Sequence, residues 1–165
     1  GDYNNRLLNR LKIRFDVKMG NILLGVWASE QNTIKRVNAM IRNKDIVNNK
    51  KEINDLNKLL DKGVPEAYVA LARLYNTGTY FERNLNTAAE CMRKAANKNI
   101  HWSNELFDLL WRIGTPESYE EMISVATAFA ETGDAGAIER LGRAYRDGKG
   151  VENDMEKARQ PRRIY

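Results

Sequence analysis

Displaced by 70 residues, the chain lies over itself. The segment Gly63 to Ala88 meets Gly133 to Ala158 without a gap. Gly63, Ala67, Leu71, Arg73, Tyr75, Gly78, Glu82 and Ala88 fall on Gly133, Ala137, Leu141, Arg143, Tyr145, Gly148, Glu152 and Ala158. Other positions agree in kind, Ala72 with Gly142, Phe81 with Val151, Asn84 with Asp154 and Leu85 with Met155. A fixed period of this length points to a stacked architecture, because one such unit cannot bury its apolar face alone and needs neighbours on both sides.

The residue types describe a helical hairpin. Ala67, Leu71 and Tyr75 recur every fourth residue and share a helix face, and small Ala67 and Ala72 let a second helix come close. Gly78 stands just past the last apolar residue, where a left-handed cap is needed. Asn84 and Asp154 stand where an N-cap accepts from orphan amides. Ala88, Cys91, Met92, Ala95 and Ala96 then draw a narrow inner face for the second helix. Because 70 is twice 35, a further unit is expected between the two. The half-shift carries Leu71, Ala72, Tyr75, Ala88, Cys91 and Ala95 onto Leu106, Phe107, Leu110, Ile123, Ala126 and Ala130, all apolar. There Gly114-Thr115-Pro116 replaces the longer loop, with Pro116 suited to a first helical position and Glu117, Glu120 and Glu121 suited to the positive end of the dipole. The opposite half-shift puts Ile53, Leu56 and Leu60 in second-helix slots. Units are therefore expected at about 29–62, 63–98, 99–132 and 133–165.

The run from Ala137 through Leu141, Gly142, Arg143, Tyr145, Gly148, Gly150, Val151 and Asp154 to Ala158 resembles the Sel1-like repeat (SLR) family, relatives of tetratricopeptide repeats. The best match is 133–158 and the second is 63–98, where Tyr80 stands in place of the second loop glycine. The resemblance implies an all-α fold, an α-α superhelix in the form of a right-handed solenoid of helical hairpins. It also implies a protein or peptide partner held on the concave face, which the first helices line. Projection of that register places Tyr68, Arg73, Asn76, Glu105, Asp108, Glu139, Arg143 and Arg146 there. The repeated Arg73 and Arg143 suit either a carboxylate clamp or salt bridges within the chain, and the second is favoured.

Residues 1–28 lie outside the repeats and read as an amphipathic helix. Leu8, Leu11, Phe15, Met19, Ile22 and Val26 form one apolar stripe, and Ile13, Val17, Leu24 and Trp27 form another. Two stripes fit a cap on the first repeat or a junction to a preceding domain better than a membrane-surface helix, which keeps one side polar. Self-association through residues 4–27, or through the last repeat, is a further possibility. The chain starts Gly-Asp without Met, which fits a piece of a longer protein. An alternative role is accordingly the C-terminal accessory or oligomerisation region of a larger bacterial enzyme.

No transmembrane segment is expected, since the longest apolar run, Ile22 to Ala28, is far below the roughly 20 residues a spanning helix needs. One cysteine, Cys91, fits a reducing compartment and so the cytoplasm. Charge is uneven: residues 1–62 carry 13 Lys and Arg against 7 Asp and Glu, residues 63–158 carry 11 against 15, and the tail adds three Arg. A basic front raises nucleic acid or an anionic surface as a weaker alternative. Tyr3, Phe15 and Trp27 are too few for a stacking platform, and two of the three are expected to be buried, which argues against nucleic acid. Catalysis is not expected. His101 is the sole histidine, Cys91 occupies a slot that is alanine in the next unit, and Gly148-Lys149-Gly150 lacks the strand and the Gly-Lys-Ser/Thr ending of a phosphate loop. No metal site, catalytic residue or cofactor is predicted.

Overall fold

The computed structural model describes residues 2–43 and 49–151. Every regular element among them is helical: α1 (Asp2–Asn43), α2 (Lys50–Asp61), α3 (Pro65–Thr77), α4 (Leu85–Lys98), α5 (Ser103–Ile113), α6 (Pro116–Ala130) and α7 (Ala135–Asp147), with one 3-10 turn at Ile100–Trp102. The protein is an all-α solenoid of helical hairpins. The second helix expected after Asp154 lies outside the described residues.

Local chemistry sets the boundaries. Pro65 and Pro116 open α3 and α6, where a missing N–H costs nothing. The Asn84 side chain accepts from Thr87 N at 3.0 Å. Thr115 and Ser118 close a reciprocal capping box in front of α6. Gly78, Gly114 and Gly148 end α3, α5 and α7 in the left-handed conformation.

Burial follows the repeat. Ala88, Cys91, Met92 and Ala95 of α4 are buried beside Ala72, and Leu106, Phe107 and Leu110 of α5 continue the same core into Met122, Ala126 and Phe129 of α6. A second core joins Ile34, Val37 and Met40 of α1 to Ile53, Leu56 and Leu59 of α2 and to Ala67, Ala70 and Leu74 of α3. In α2 Ile53, Leu56 and Leu59 are buried; Leu60, expected in the last of these slots, is half-buried.

The largest departure from expectation is at the front. The helix read over 4–27 does not stop near 28 but runs on to Asn43, 42 residues in all from Asp2. Residues 28–33, Ala-Ser-Glu-Gln-Asn-Thr, hold no Gly or Pro to break it, so the last third of α1 is itself the first helix of the first hairpin. Its earlier part is not buried as a cap. Tyr3, Phe15 and Trp27 are 79%, 63% and 60% exposed, so the expectation that two of these aromatics are buried is wrong. They still form no stacking platform, because steps of twelve residues turn them about 120° apart around the helix.

The loop after α7 explains the paired glycines of the motif. Gly150 has φ 73°, and a Cβ there would lie 2.6 Å from Tyr119 O. In the earlier unit Tyr80 adopts φ 68° at the same place, the one non-glycine described residue with positive φ, and its ring meets Phe81 edge-on at 4.9 Å. Gly133 has φ 86° but open space around it. Gly133→Ala is therefore expected to cost about 1 kcal/mol through backbone strain alone. Gly150→Ala should cost distinctly more, because the strain is joined by a clash with backbone. Urea midpoints of the two variants check the order.

Candidate interaction groove

The first helices α3, α5 and α7 lie side by side and carry the polar residues projected onto one face. Half of them hold one another, Arg73 with Glu105 and Asp108 with Arg143. Arg73 donates to Glu105 at 2.8 Å, from α3 to α5. Asp108 accepts two bonds from Arg140 of α7, at 3.0 and 2.9 Å, and stands 3.5 Å from Arg143. The guanidinium groups also rest on rings, Arg73 5.8 Å from Trp102 and Arg143 4.8 Å from Trp111. The bond to Asp108 raises the Arg140 pKa, so its charge is constant. Asn104 of α5 donates to Asp134, the N-cap of α7, at 3.0 Å.

A cavity of about 170 Å³ opens between α3 and α5. Of the projected residues it takes Arg73, Asn76, Glu105 and Asp108. Two of its polar groups stand apart from the ladder. The Asn76 Oδ1 atom is buried and accepts no hydrogen bond among the described residues, a state that is uncommon in folded proteins. Arg112 is exposed at the cavity and makes no ion pair among the described residues. The other projected residues lie elsewhere. Tyr68 makes a long 3.5 Å bond to Leu60 O and carries Lys94 over its ring. Glu139 is exposed, and exposed Arg146 is bonded to its neighbour Asp147. Projection missed Arg112, Leu109, Met92 and Arg140. Arg140 was legible, since it stands 32 residues after Asp108 as Glu105 stands 32 after Arg73, whereas the Arg112 slot holds Thr77 and Asp147 in the flanking units, neither of them a cation.

On the second-helix side, Arg93 of α4 grips Glu121 of α6 through both nitrogen atoms. Glu121 is thus a cross-repeat ion pair, not simply a charge at a helix dipole. Cys91 is buried, and burial pushes its thiol pKa up, against a nucleophilic role. His101 is exposed and meets the Phe129 ring edge-on at 5.7 Å. Among the described residues no three His, Cys, Asp or Glu side chains gather as a metal site, and no helix is long and apolar enough to cross a membrane.

Two predictions test the ladder. Asp108→Ala should cost about 1 kcal/mol, the upper range for exposed pairs because the geometry is bidentate, and the loss should shrink at high salt. The Asn104 amide, followed by the Ala137 N–H, holds the Asp134 carboxyl below the usual range. A lowered folded pKa means stability that is complete above the unfolded value of about 3.9 and is lost as pH falls through the lower folded value. Asp134→Asn should therefore be less stable at pH 6 and flatter below pH 4 in urea titrations.

Residues 65–100 and 135–160 match the Sel1 repeat family model. No curated protein matches the chain significantly. Among solved structures, c5321, a protective antigen present in uropathogenic Escherichia coli strains and displaying an SLR fold, superposes with a TM-score of 0.58 at 25% identity over 68% of this chain and 25% of its own. A Sel1 repeat protein from Oxalobacter formigenes superposes with a TM-score of 0.56 at 28% identity, over 67% of this chain and 46% of its own. The chain thus spans less than half the length of either.

Proposed function

Because the chain carries Sel1-like repeats, which generally mediate protein–protein contacts and are typically non-catalytic, we propose that it is a scaffold whose first-helix face, the concave side of a solenoid, receives a segment of a partner protein. The observation that carries this reading is the orphan Asn76 Oδ1 in the α3–α5 cavity. A buried acceptor without a donor is costly, and the N–H of an arriving peptide relieves that cost. The cavity is smaller than the roughly 300 Å³ at which sites for free small molecules begin, and it suits one side chain of a longer ligand.

The charges divide into two roles. Arg73, Glu105, Asp108, Arg140 and Arg143 pair with one another and shape the groove, with the buried Arg143 Nε left without an acceptor among the described residues. Asn76 and Arg112 are left to meet the partner, with Glu139 and Arg146 further along the face. A segment with backbone N–H groups near Asn76 and an acidic residue or carbonyl near Arg112 fits best.

Full-length chain used as bait should lose its partner at least tenfold in affinity with Asn76→Ala and Arg112→Ala combined, since a hydrogen bond to a charged group is worth roughly 1.5–3 kcal/mol. Lys50→Ala, on α2 away from the groove, should change nothing. Unaltered capture and affinity in the double variant would remove the groove from the binding surface.

A further inference from the structure

The first part of α1 is a helix with apolar side chains and nothing against them. Leu8, Leu11, Phe15, Met19, Ile22 and Val26 are all exposed, Phe15 most of all at 63%. Eleven residues make about three turns, so Ile22 and Val26 share a face with Thr33 and Val37, which are buried against the repeats. The exposed stripe is the outward continuation of a packed seam. The helix α2 covers that seam only as far as its own end, where Lys62 stands 3.9 Å from Glu30. Beyond this point the seam lines a cavity with Ile22, Gly25 and Val26 on one side and Lys58, Leu59 and Lys62 on the other. Isolated helices are marginal in water, and an apolar seam of this length needs a cover.

We infer that the cover is the same stretch of a second copy, packed antiparallel about Phe15. The spacing from Leu8 to Ile22 runs three, four, four, three and is therefore the same read from either end. Antiparallel pairing about Phe15 sets Leu8 against Ile22 of the second copy, Leu11 against Met19, and Phe15 against Phe15. A two-fold interface requires this self-complementarity. Sterics select the direction. A parallel partner would run along the seam into the stretch that α2 and α3 occupy, while an antiparallel one leaves the two solenoids at opposite ends.

The contact is modest. A strip about a third to a half of the way round a helix some 34 Å long gives roughly 1,000 Å² in total from both copies, near the lower bound for a specific interface. Light scattering of the full chain at roughly 100 µM, above the micromolar Kd that such interfaces reach, is expected to give twice the chain mass of 19.0 kDa. Phe15→Arg should return it to the mass of one chain. Orientation is read by oxidation in a Cys91→Ser background. Leu8→Cys and Ile22→Cys proteins should crosslink to each other when mixed and much less when each is oxidised alone. A single chain mass for the unaltered protein at this concentration, or crosslinks that form as well within each single variant, would overturn the inference.

Discussion

The molecule depends on a helix that is buried from two sides. Ala67, Ala70 and Leu74 of α3 face the core formed with α1 and α2, while Val69 and Ala72 face the core that runs on through α4 to α7. Among the described residues no other helix contributes to both. A helix buried all round has no room for a polar stripe, which is why α3 reads Pro-Glu-Ala-Tyr-Val-Ala-Leu-Ala-Arg-Leu-Tyr, with its charges confined to the ends and to Arg73. Its small residues are as important as its apolar ones. Alanine lets the neighbouring axes close up, and the dispersion contacts so formed replace the larger side chains that a single two-layer core would use.

Once the helices are close, their polar faces are drawn together. Residues 32 apart on adjacent first helices meet as Arg73 with Glu105 and Asp108 with Arg140. This ladder contributes little to stability, because its members are partly in water. Its effect is on the shape of the face. Guanidinium groups fixed by a carboxylate on one side and a ring on the other define the groove wall and are not available as freely moving ligands. Among the described residues the ladder leaves out the buried Asn76 amide oxygen, the buried Nε of its own Arg143 and the exposed Arg112.

The two surfaces of interest lie at opposite ends of one stacking logic. A solenoid buries each unit against the next, so every terminal unit has an uncovered side. In α1 that side is drawn out along a helix longer than its hairpin needs. Two chains joined through it would carry two grooves, and a partner with two binding segments would be held by effective concentration as well as by contact.

Much of the architecture was legible before any coordinates. Period, hairpin, caps and left-handed glycines are local or repeating features, set by side-chain volume and backbone freedom within a few residues of one another, and the 70-residue self-match displays them twice. Tyr80 shows the limit of that reading: the sequence marks it as a missing glycine, and the fold keeps the glycine conformation with a tyrosine in it. What tertiary structure alone decided is what stands opposite each face. Periodicity states that a face is apolar, not whether anything covers it, so the stripe on α1 could be read as a buried cap when it is exposed. In the same way, charge at a repeated slot shows that arginines line one face. Only the distance between packed helices determines that they bind carboxylates of the neighbouring helix, while Asn76 Oδ1 is left without a donor among the described residues.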